Sequence, residues 1–523
     1  AATYQAHYID HDMDVSAVTD FDNVKDKIVC KLINEEANRL ASSLMARGVT
    51  SDDVVMHALL NSAEFVFTYI ATHKIGCVNA PLNYRLSGGE IALLIDQSKP
   101  KALIYDAEFE KIISEALRSV HHRPEIIIMA DLNNEMDAPE GVVTYRDFVK
   151  DGSPENPVRK DKPSIYDETT RFFTSGTTNL PKAVPVNDIN EVLSAHDVIM
   201  HFPLSPKDVT MNLTPWFHRG GLHSGGPCPT LYIGGTMVIL RDFTPRLALQ
   251  YVSLYHITFL IGAPTVIDML CRIQETNPRD ISSLHGIVLM GSPLDKEPCK
   301  RYMKVLTPNI FNGYGTTETF WNVFLRPYDL PDKAGYAGGA CTDDDVRVVR
   351  VDTTKHVSPD ELVPMDKETV GEVVIFAPNK STFAYYDNPK TTEEKFHNGW
   401  LYTGDLATWD EHAYITIIGR KDDMIVSAGE NIYPVQVESI LNEHPKVAES
   451  LVFGIPDPKR GSVIAALIRP SDPSLTEKEM KQFCMNHPML APYKRPRIFR
   501  FVKELPHNAT GKLLHKLPPD FKF

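Results

Sequence analysis

Apolar residues at 29, 32, 33, 37, 40 and 44 recur with helical spacing, and Gly48 supplies a stop, so a helix is predicted over Val24–Arg47. Val54–Leu60 then reads as a buried strand, Ala63–His73 as a helix and Ala102–Tyr105 as a short strand. Strands alternating with helices predict βαβ units and a mostly parallel sheet. A Pro- and charge-rich connector, Asp151–Asp167, precedes the strand Thr170–Phe173, and the alternation resumes through Thr258–Gly262, Gly286–Met290 and Asn309–Tyr314. From about Val346 the period changes. VRVVRV (346–351) and EVVIFA (372–377) read as strands of a β-rich region, and TWDEHAYITIIGR (408–420) reads as a hairpin. A smaller α+β unit follows, with helices at Pro434–Asn442 and Thr476–Asn486 and strands at Glu449–Phe453, Val463–Ile468 and Ile498–Val502. The fold class is therefore α/β: a large N-terminal α/β domain with several subdomains, one of them β-rich, over residues 1–420, and a small C-terminal α+β domain over 421–523.

The length of 523 residues agrees with this division, being too great for one ordinary core. At 43% hydrophobic and 23% charged, the composition is that of a globular enzyme-sized chain. A net charge of −14 argues against a broad nucleic-acid or anionic-membrane surface, while leaving room for a few local cations on an anionic substrate. Seven scattered cysteines without a C-x-x-C pair point to reduced thiols rather than a structural zinc. The apolar stretch around Leu231–Leu240 is interrupted by Gly234 and Gly235, so no membrane span is expected. No basic segment followed by an apolar one opens the chain, and a cytoplasmic location is expected.

Four polar constellations stand out, the first two directly after strands. The first is Thr174–Lys182 (TSGTTNLPK): Thr174, Ser175, Gly176, Thr177, Thr178 and Lys182 combine hydroxyls and an ammonium with a glycine that lets the backbone approach a phosphate. It is not a Walker loop, which needs a second glycine directly before the lysine. The second is Asn312–Glu318 (NGYGTTE), where Tyr314 offers a face to a base and Glu318 a carboxylate to Mg²⁺. Taken alone it reads more simply as a β-to-α turn with a helix-capping Glu. The third joins Asp405 of YTGD to Arg420, an acceptor for ribose hydroxyls and a donor to sugar or phosphate. The fourth is Pro506–Lys512 (PHNATGK), which puts Lys512 on a loop. Each has a bland reading as a turn or solvated surface; the order and spacing of all four do not.

Together they resemble the adenylate-forming superfamily of acyl-CoA synthetases, luciferases and peptide-synthetase adenylation domains, over nearly the whole chain. PWFHRGG (215–221), GAPT (262–265), GSPL (291–294), GE (371–372) and SAGENIYP (427–434) add to the match. Asn179 and Ala183 stand where the family's phosphate loop usually has glycine; Asn tolerates left-handed backbone angles better than most residues.

The resemblance implies two half-reactions, with ATP, Mg²⁺ and coenzyme A as cofactor and co-substrates. The partners it implies are a small carboxylic acid, ATP and CoA, and a homodimer is a compatible assembly. In the first step a carboxylate attacks the α-phosphate and pyrophosphate leaves. By position, Lys512 bridges carboxylate and nucleotide, and Thr174–Lys182 holds the leaving phosphates. Gly291, Ser292 and Pro293 with Tyr314 enclose the base, Asn312, Gly313, Gly315, Thr316 and Thr317 add to the ATP site, Glu318 holds the metal, and Asp405 and Arg420 fix the ribose. In the second step the small, mobile domain turns about a hinge at Asp422. Ala428 and Gly429 then border a pantetheine tunnel, and Arg460, Tyr493 and Arg495 meet the CoA nucleotide.

His218 matches a family position at the junction of acyl pocket and tunnel, or packs as an ordinary core histidine. Amino-acid-activating members place an Asp just after the Phe of this segment; Phe217–His218 offers no such counter-ion, which disfavours an amino acid, as does the lack of a carrier domain after residue 523. A luciferase-type oxygenase shares every motif. A non-catalytic nucleotide sensor is disfavoured by the joint presence of Lys512, Glu318 and Asp405. Gly220, Phe320 and Trp321 fall where relatives line the acyl site, and two bulky aromatics favour a compact aryl or alicyclic acid over a medium or long fatty chain; ordinary helix packing is their other reading. Arg219 either meets a second substrate carboxylate or points to solvent or CoA phosphates.

Overall fold

The computed structural model describes residues 27–131, 136–159, 161–174, 181–292, 294–352, 355–427, 430–457, 461–488, 490–507 and 513–514. The predicted first helix runs over Lys27–Ala46, and the strand and helix that follow are Val54–Ala58 and Ala63–Ile75. Ser62 caps the latter by accepting from the Phe65 N–H, and Gly76 closes it at φ 85°.

Two seven-stranded sheets form the bulk of the chain. The first runs in the order Val143–Thr144, Ile126–Ala130, Ala102–Asp106, Val54–Ala58, Val78–Pro81, Glu168–Thr174, Lys182–Asn187. Every pairing in it is parallel except the last, an antiparallel hairpin that sets Thr174 opposite Lys182. Its central strands are buried along their whole length, because apolar clusters pack on both faces. The second sheet runs Gly339–Ala340, Phe320–Leu325, Ile310–Thr316, Gly286–Met290, Phe259–Gly262, Val209–Asn212, Thr236–Met237. It too is parallel apart from the two strands at one edge.

The β-rich region is an antiparallel sheet of Asp345–Val349, Gly371–Phe376, Trp400–Trp409 and Phe396–His397, with Ile415–Arg420 paired to Trp400–Trp409. Among the described residues, strands after Arg420 pair only with one another: Ile425–Ser427 with Glu430–Ile432, and Val447–Asp457, Gly461–Pro470 and Ile498–Phe501 in a three-stranded sheet. Helices Pro434–Asn442 and Glu477–Asn486 belong to the same unit, and Ile432, Val437, Val452, Ile464, Met480 and Phe499 share its core. The expected α/β class and the smaller C-terminal α+β unit are thus both present.

One local expectation is overturned. The Asn312–Glu318 segment does not turn into a helix; it joins the antiparallel strands Ile310–Thr316 and Phe320–Leu325. Gly315 explains the tightness of this hairpin, since a Cβ there would lie 1.6 Å from the Phe320 carbonyl oxygen. Phe320 itself sits at φ 60°, an unusual conformation for a bulky residue. Six cysteines among the described residues are free and buried, as reduced thiols would be. No helix among the described residues is long and apolar enough to cross a membrane.

Candidate active site

Three of the sequence constellations meet at one place. The hairpin of the first sheet brings Thr174 and Lys182 to the two feet of the 175–180 connection. The Lys182 ammonium lies 5.2 Å from the ring centre of Tyr385, whose hydroxyl donates to Glu318 Oε1 at 2.5 Å. Burial and then the Lys395 charge hold Lys182 below the usual lysine range, while Glu318 opposes them. Tyr385 is carried by a segment tied back to the same hairpin, since the Tyr386 N–H donates to the Ala183 carbonyl at 2.9 Å.

On the third sheet, Asp405 and Arg420 are directly opposed across an antiparallel pair, and Arg420 Nη1 donates to Asp405 Oδ1 at 2.8 Å. The Tyr314 hydroxyl donates to the other oxygen, Oδ2, at 2.7 Å. The carboxylate is therefore fixed from both sides, by residues of two different sheets. Burial pulls the Arg420 pKa down, but Asp405 outweighs it and the net shift is upward; burial and then the same carboxylate push the Tyr314 phenol well up. Neighbouring Lys421 donates to Glu372 Oε2 at 2.8 Å, and the Gly404 N–H donates to Glu372 Oε1 at 3.2 Å. Gly404 holds φ 74°, and the open face at its Cα is flanked by Arg420 and Lys395.

Gly291, at φ 85°, and Ser292 follow the strand Gly286–Met290, the neighbour of the strand that carries Asn312, Gly313 and Tyr314. Asn312 is buried with its Oδ1 unpartnered among the described residues. A Cβ on Gly313 would meet the Trp321 indole at 2.8 Å, so that glycine makes room for the ring.

On the acyl side the sequence reading needs correction. Arg219 meets neither solvent nor an approach for a second substrate carboxylate. It is 2% exposed, with Nη1 donating to the Thr317 carbonyl and Nη2 to the Lys380 carbonyl, both at 2.7 Å, and its plane sits 5.7 Å from the Phe320 ring centre. Burial lowers its pKa to about 10, so it remains charged. Phe320 and Trp321 are strand residues, not helix residues, and stack at 5.0 Å. Trp321 also packs on Phe202 and Phe324 and belongs to the core. Phe320 meets His223 edge-on at 5.7 Å. His218 precedes the short helix Arg219–His223, packs against Phe217 and has no partner for Nε2 among the described residues. Burial, with Arg85 adding to it, pushes its pKa down to about 4, so the ring is neutral near pH 7.

This geometry has close relatives. A family model described as AMP-binding enzyme matches residues 9–386, and a second, AMP-binding enzyme C-terminal domain, matches 436–512. The chain belongs to the AMP-binding enzyme family. Within this adenylate-forming superfamily its relatives are acyl- and aryl-CoA ligases. A feruloyl-CoA synthase from Amycolatopsis sp. is 30% identical over 92% of this chain and 91% of its own. A 4-chlorobenzoate–CoA ligase from Arthrobacter sp. is 29% identical over 91% and 86%. Among solved structures, an anthranilate CoA ligase in complex with anthranoyl-AMP superposes with a TM-score of 0.83 at 26% identity, covering 92% of this chain and 89% of that one. The o-succinylbenzoate CoA synthetase of Bacillus subtilis in complex with its acyl-adenylate gives 0.79 at 28% identity, over 94% and 93%.

Several residues that the family resemblance singled out lie outside the described residues: Ser175, Gly176, Thr177, Thr178, Asn179, Pro293, Ala428, Gly429, Arg460 and Lys512. Of the CoA-side residues that are described, Tyr493 is 45% exposed on the turn Pro492–Lys494, and Arg495 donates Nε to the Leu490 carbonyl at 3.0 Å. Asp422 is exposed, with an oxygen 3.8 Å from Arg420 Nη2.

Three features of the site were not visible in the sequence. One is Tyr385, in a stretch without recognisable spacing. Another is the buried Lys380, whose ammonium binds Asp197 at 2.8 Å, Asp344 at 2.7 Å and the Trp321 carbonyl. From Asp344 a hydrogen-bond chain runs through Asn322 and Thr319 to Thr316 of the Glu318 hairpin. The third is Glu191, a buried acceptor for Tyr69 and His223 on the far side of Phe320.

Proposed function

We propose that this member of the family is an ATP-dependent acid–thiol ligase that activates a compact aryl or alicyclic carboxylate as its acyl-adenylate and passes it to coenzyme A. The observation that carries the reading is the convergence of Lys182, Glu318 and the Asp405–Arg420 pair, joined by Tyr385 between Lys182 and Glu318 and by Tyr314 between the Glu318 hairpin and Asp405. Those are the groups needed to hold, respectively, the leaving phosphates, a divalent cation and the ribose.

Adenylation makes a bond from carboxylate oxygen to the α-phosphorus and breaks the bond to pyrophosphate. The protein's part is to keep nucleophile and leaving group in line and to neutralise growing charge on the leaving oxygens. Lys182 and the hydroxyls of Thr174–Thr178 take the phosphates, and Lys512 takes the substrate carboxylate and the α-phosphate. Asp405, fixed by Tyr314 and Arg420, receives the ribose hydroxyls. Glu318 fits Mg²⁺ as a single carboxylate ligand completed by phosphate oxygens, with Tyr385 orienting it by the Oε1 hydrogen bond. The metal's contribution when bound is charge neutralisation on the phosphates.

For the thiol step, residues 1–420 and 421–523 act as two bodies hinged at Asp422. Ala428 and Gly429 leave a narrow passage for pantetheine, and Arg460, Tyr493 and Arg495 receive the CoA nucleotide. Lys421, anchored to Glu372, fixes the hinge on the large-domain side. His218, neutral and aromatic, walls the junction of acyl site and passage, and Gly220 and Phe320 line the acyl site. The compact-acid reading is supported by Phe320 and by relatives named for ferulate, chlorobenzoate and succinylbenzoate.

The test is pyrophosphate release over a panel of benzoates, cyclohexanecarboxylates, cinnamates and straight-chain acids, with and without CoA. Best turnover on a ring acid is expected; best turnover on a long straight chain contradicts the acid class, and no release with any acid contradicts the activity.

A further inference from the structure

Lys395 has no part in any motif, yet it stands inside the nucleotide site. It ends the helix Pro389–Lys395, which Asn388 caps by accepting from the Thr391 N–H. The chain just before this helix is fixed to the phosphate-loop hairpin. The Tyr386 N–H donates to the Ala183 carbonyl, and the Tyr385 N–H donates to the Thr392 hydroxyl at 2.9 Å. The helix end is thereby held beside Gly404 of the strand Trp400–Trp409. A Cβ placed on Gly404 would lie 3.4 Å from Lys395 Nζ and 3.4 Å from Arg420 Nη2. Two cations thus flank one bare glycine, the residue directly before the ribose-binding Asp405.

A third cation is close by, since Lys182 feels Lys395 more strongly than any other charge. Among the described residues neither lysine has a carboxylate within ion-pair distance, although Glu318 and Glu394 lie near enough to act on Lys182. Asp405 is already occupied by Arg420 and Tyr314. Like charges held together on a half-buried surface repel, and the arrangement is costly unless an anion comes between them. A ribose is neutral and gains nothing from a second cation beside Arg420; the phosphate chain does.

We propose that Lys395 is a phosphate-binding residue of this site, contacting the phosphate chain of ATP between the foot of the Thr174–Lys182 loop and the ribose, and then the departing pyrophosphate. This rests on the ATP site described above. It adds a cation placed by the helix Pro389–Lys395 rather than by the loop.

The experiment is calorimetric titration of the full-length chain with Mg·ATP, with inorganic pyrophosphate and with AMP, for wild type, Lys395→Met and Lys395→Arg. Lys395→Met is expected to weaken ATP and pyrophosphate about 10-fold, the loss of one charge-assisted contact, with AMP within about twofold and with Lys395→Arg close to wild type. Melting curves accompany the titrations, and Lys395→Gln replaces the Met variant if the latter melts early. Unchanged ATP and pyrophosphate affinity overturns the proposal, as does an equal loss for AMP. Wild type that binds no ATP overturns the underlying ATP site as well. Because no acid is present, an error in the acid class cannot affect the result.

Discussion

The Arg219 guanidinium donates to the carbonyl of Thr317, the residue immediately before Glu318, at 2.7 Å. A second donation, to the Lys380 carbonyl, ties the same cation to a buried Lys380–Asp197–Asp344 network. The turn that presents Glu318 is therefore held by a buried positive charge rather than by a helix cap. Arg219→Gln leaves one buried and one part-buried carbonyl without their charged donor. The variant should lose about 2–4 kcal/mol of stability and, where still folded, show a raised KM for Mg·ATP with acid selectivity unchanged. Thermal melts and steady-state kinetics check this. A shift in acid preference at unchanged melting temperature would mean that Arg219 meets the substrate after all.

Asp405 accepts from both Tyr314 and Arg420, which orients its carboxylate for the ribose-binding role proposed above. Asp405→Asn keeps the shape and removes the charge. Affinity for both ATP and AMP should fall by about 10- to 100-fold, since charge-assisted acceptors are worth roughly 1.5–3 kcal/mol. Fluorescence or calorimetric titration reads it directly, and a loss confined to ATP would move Asp405 from the sugar to the phosphates.

Lys512→Ala should lose adenylate formation while retaining thioester formation from a supplied acyl-adenylate. Asp422→Pro should trap one domain orientation and depress the half-reaction that needs the other. Stopped-flow assays of the separate half-reactions make the comparison. Equal loss of both steps in Lys512→Ala would contradict its assignment to the first.

Buried histidines give the protein a predictable acid response. His57 is fully buried, its Nε2 lies 2.9 Å from Asn79 Oδ1, and burial pushes its pKa from 6.5 down to about 4. The unfolded chain therefore binds a proton between about pH 6.5 and 4 that the folded chain does not, so stability falls as pH drops through that window. At pH 5 this one group costs about 2 kcal/mol relative to pH 7. In His57→Gln the difference in unfolding free energy between pH 7 and pH 5, measured by urea titration, should shrink by about that amount. An unchanged difference would show that His57 does not titrate in this window.

The places where Thr174 and Asn312–Tyr314 fall were legible in the sequence because each follows or ends an apolar strand run. The opposition of Asp405 and Arg420 was within reach for the same reason, since 408–420 already reads as a hairpin. What the sequence hid depended on contacts distant along the chain. Phe320 and Trp321 follow Glu318 in a run without a decisive period, and the strand they form exists because it pairs back on Ile310–Thr316. Arg219 begins a helix of five residues, too short for any periodicity to say which way its side chain faces. Tyr385, Lys380 and Lys395 reach the site only through tertiary packing of the segment 380–395 against the phosphate-loop hairpin and its neighbours.

The central claim, that ATP is split to AMP and pyrophosphate through a bound acyl-adenylate, is tested most directly by a single turnover with CoA withheld. Enzyme is mixed with Mg·ATP and the best ring acid, quenched, and its nucleotides separated by chromatography and mass spectrometry. One pyrophosphate and one enzyme-bound acyl-AMP per active site are expected, with AMP and acyl-CoA appearing together when CoA is added. Formation of ADP and phosphate, or no nucleotide cleavage until CoA is present, would contradict the account.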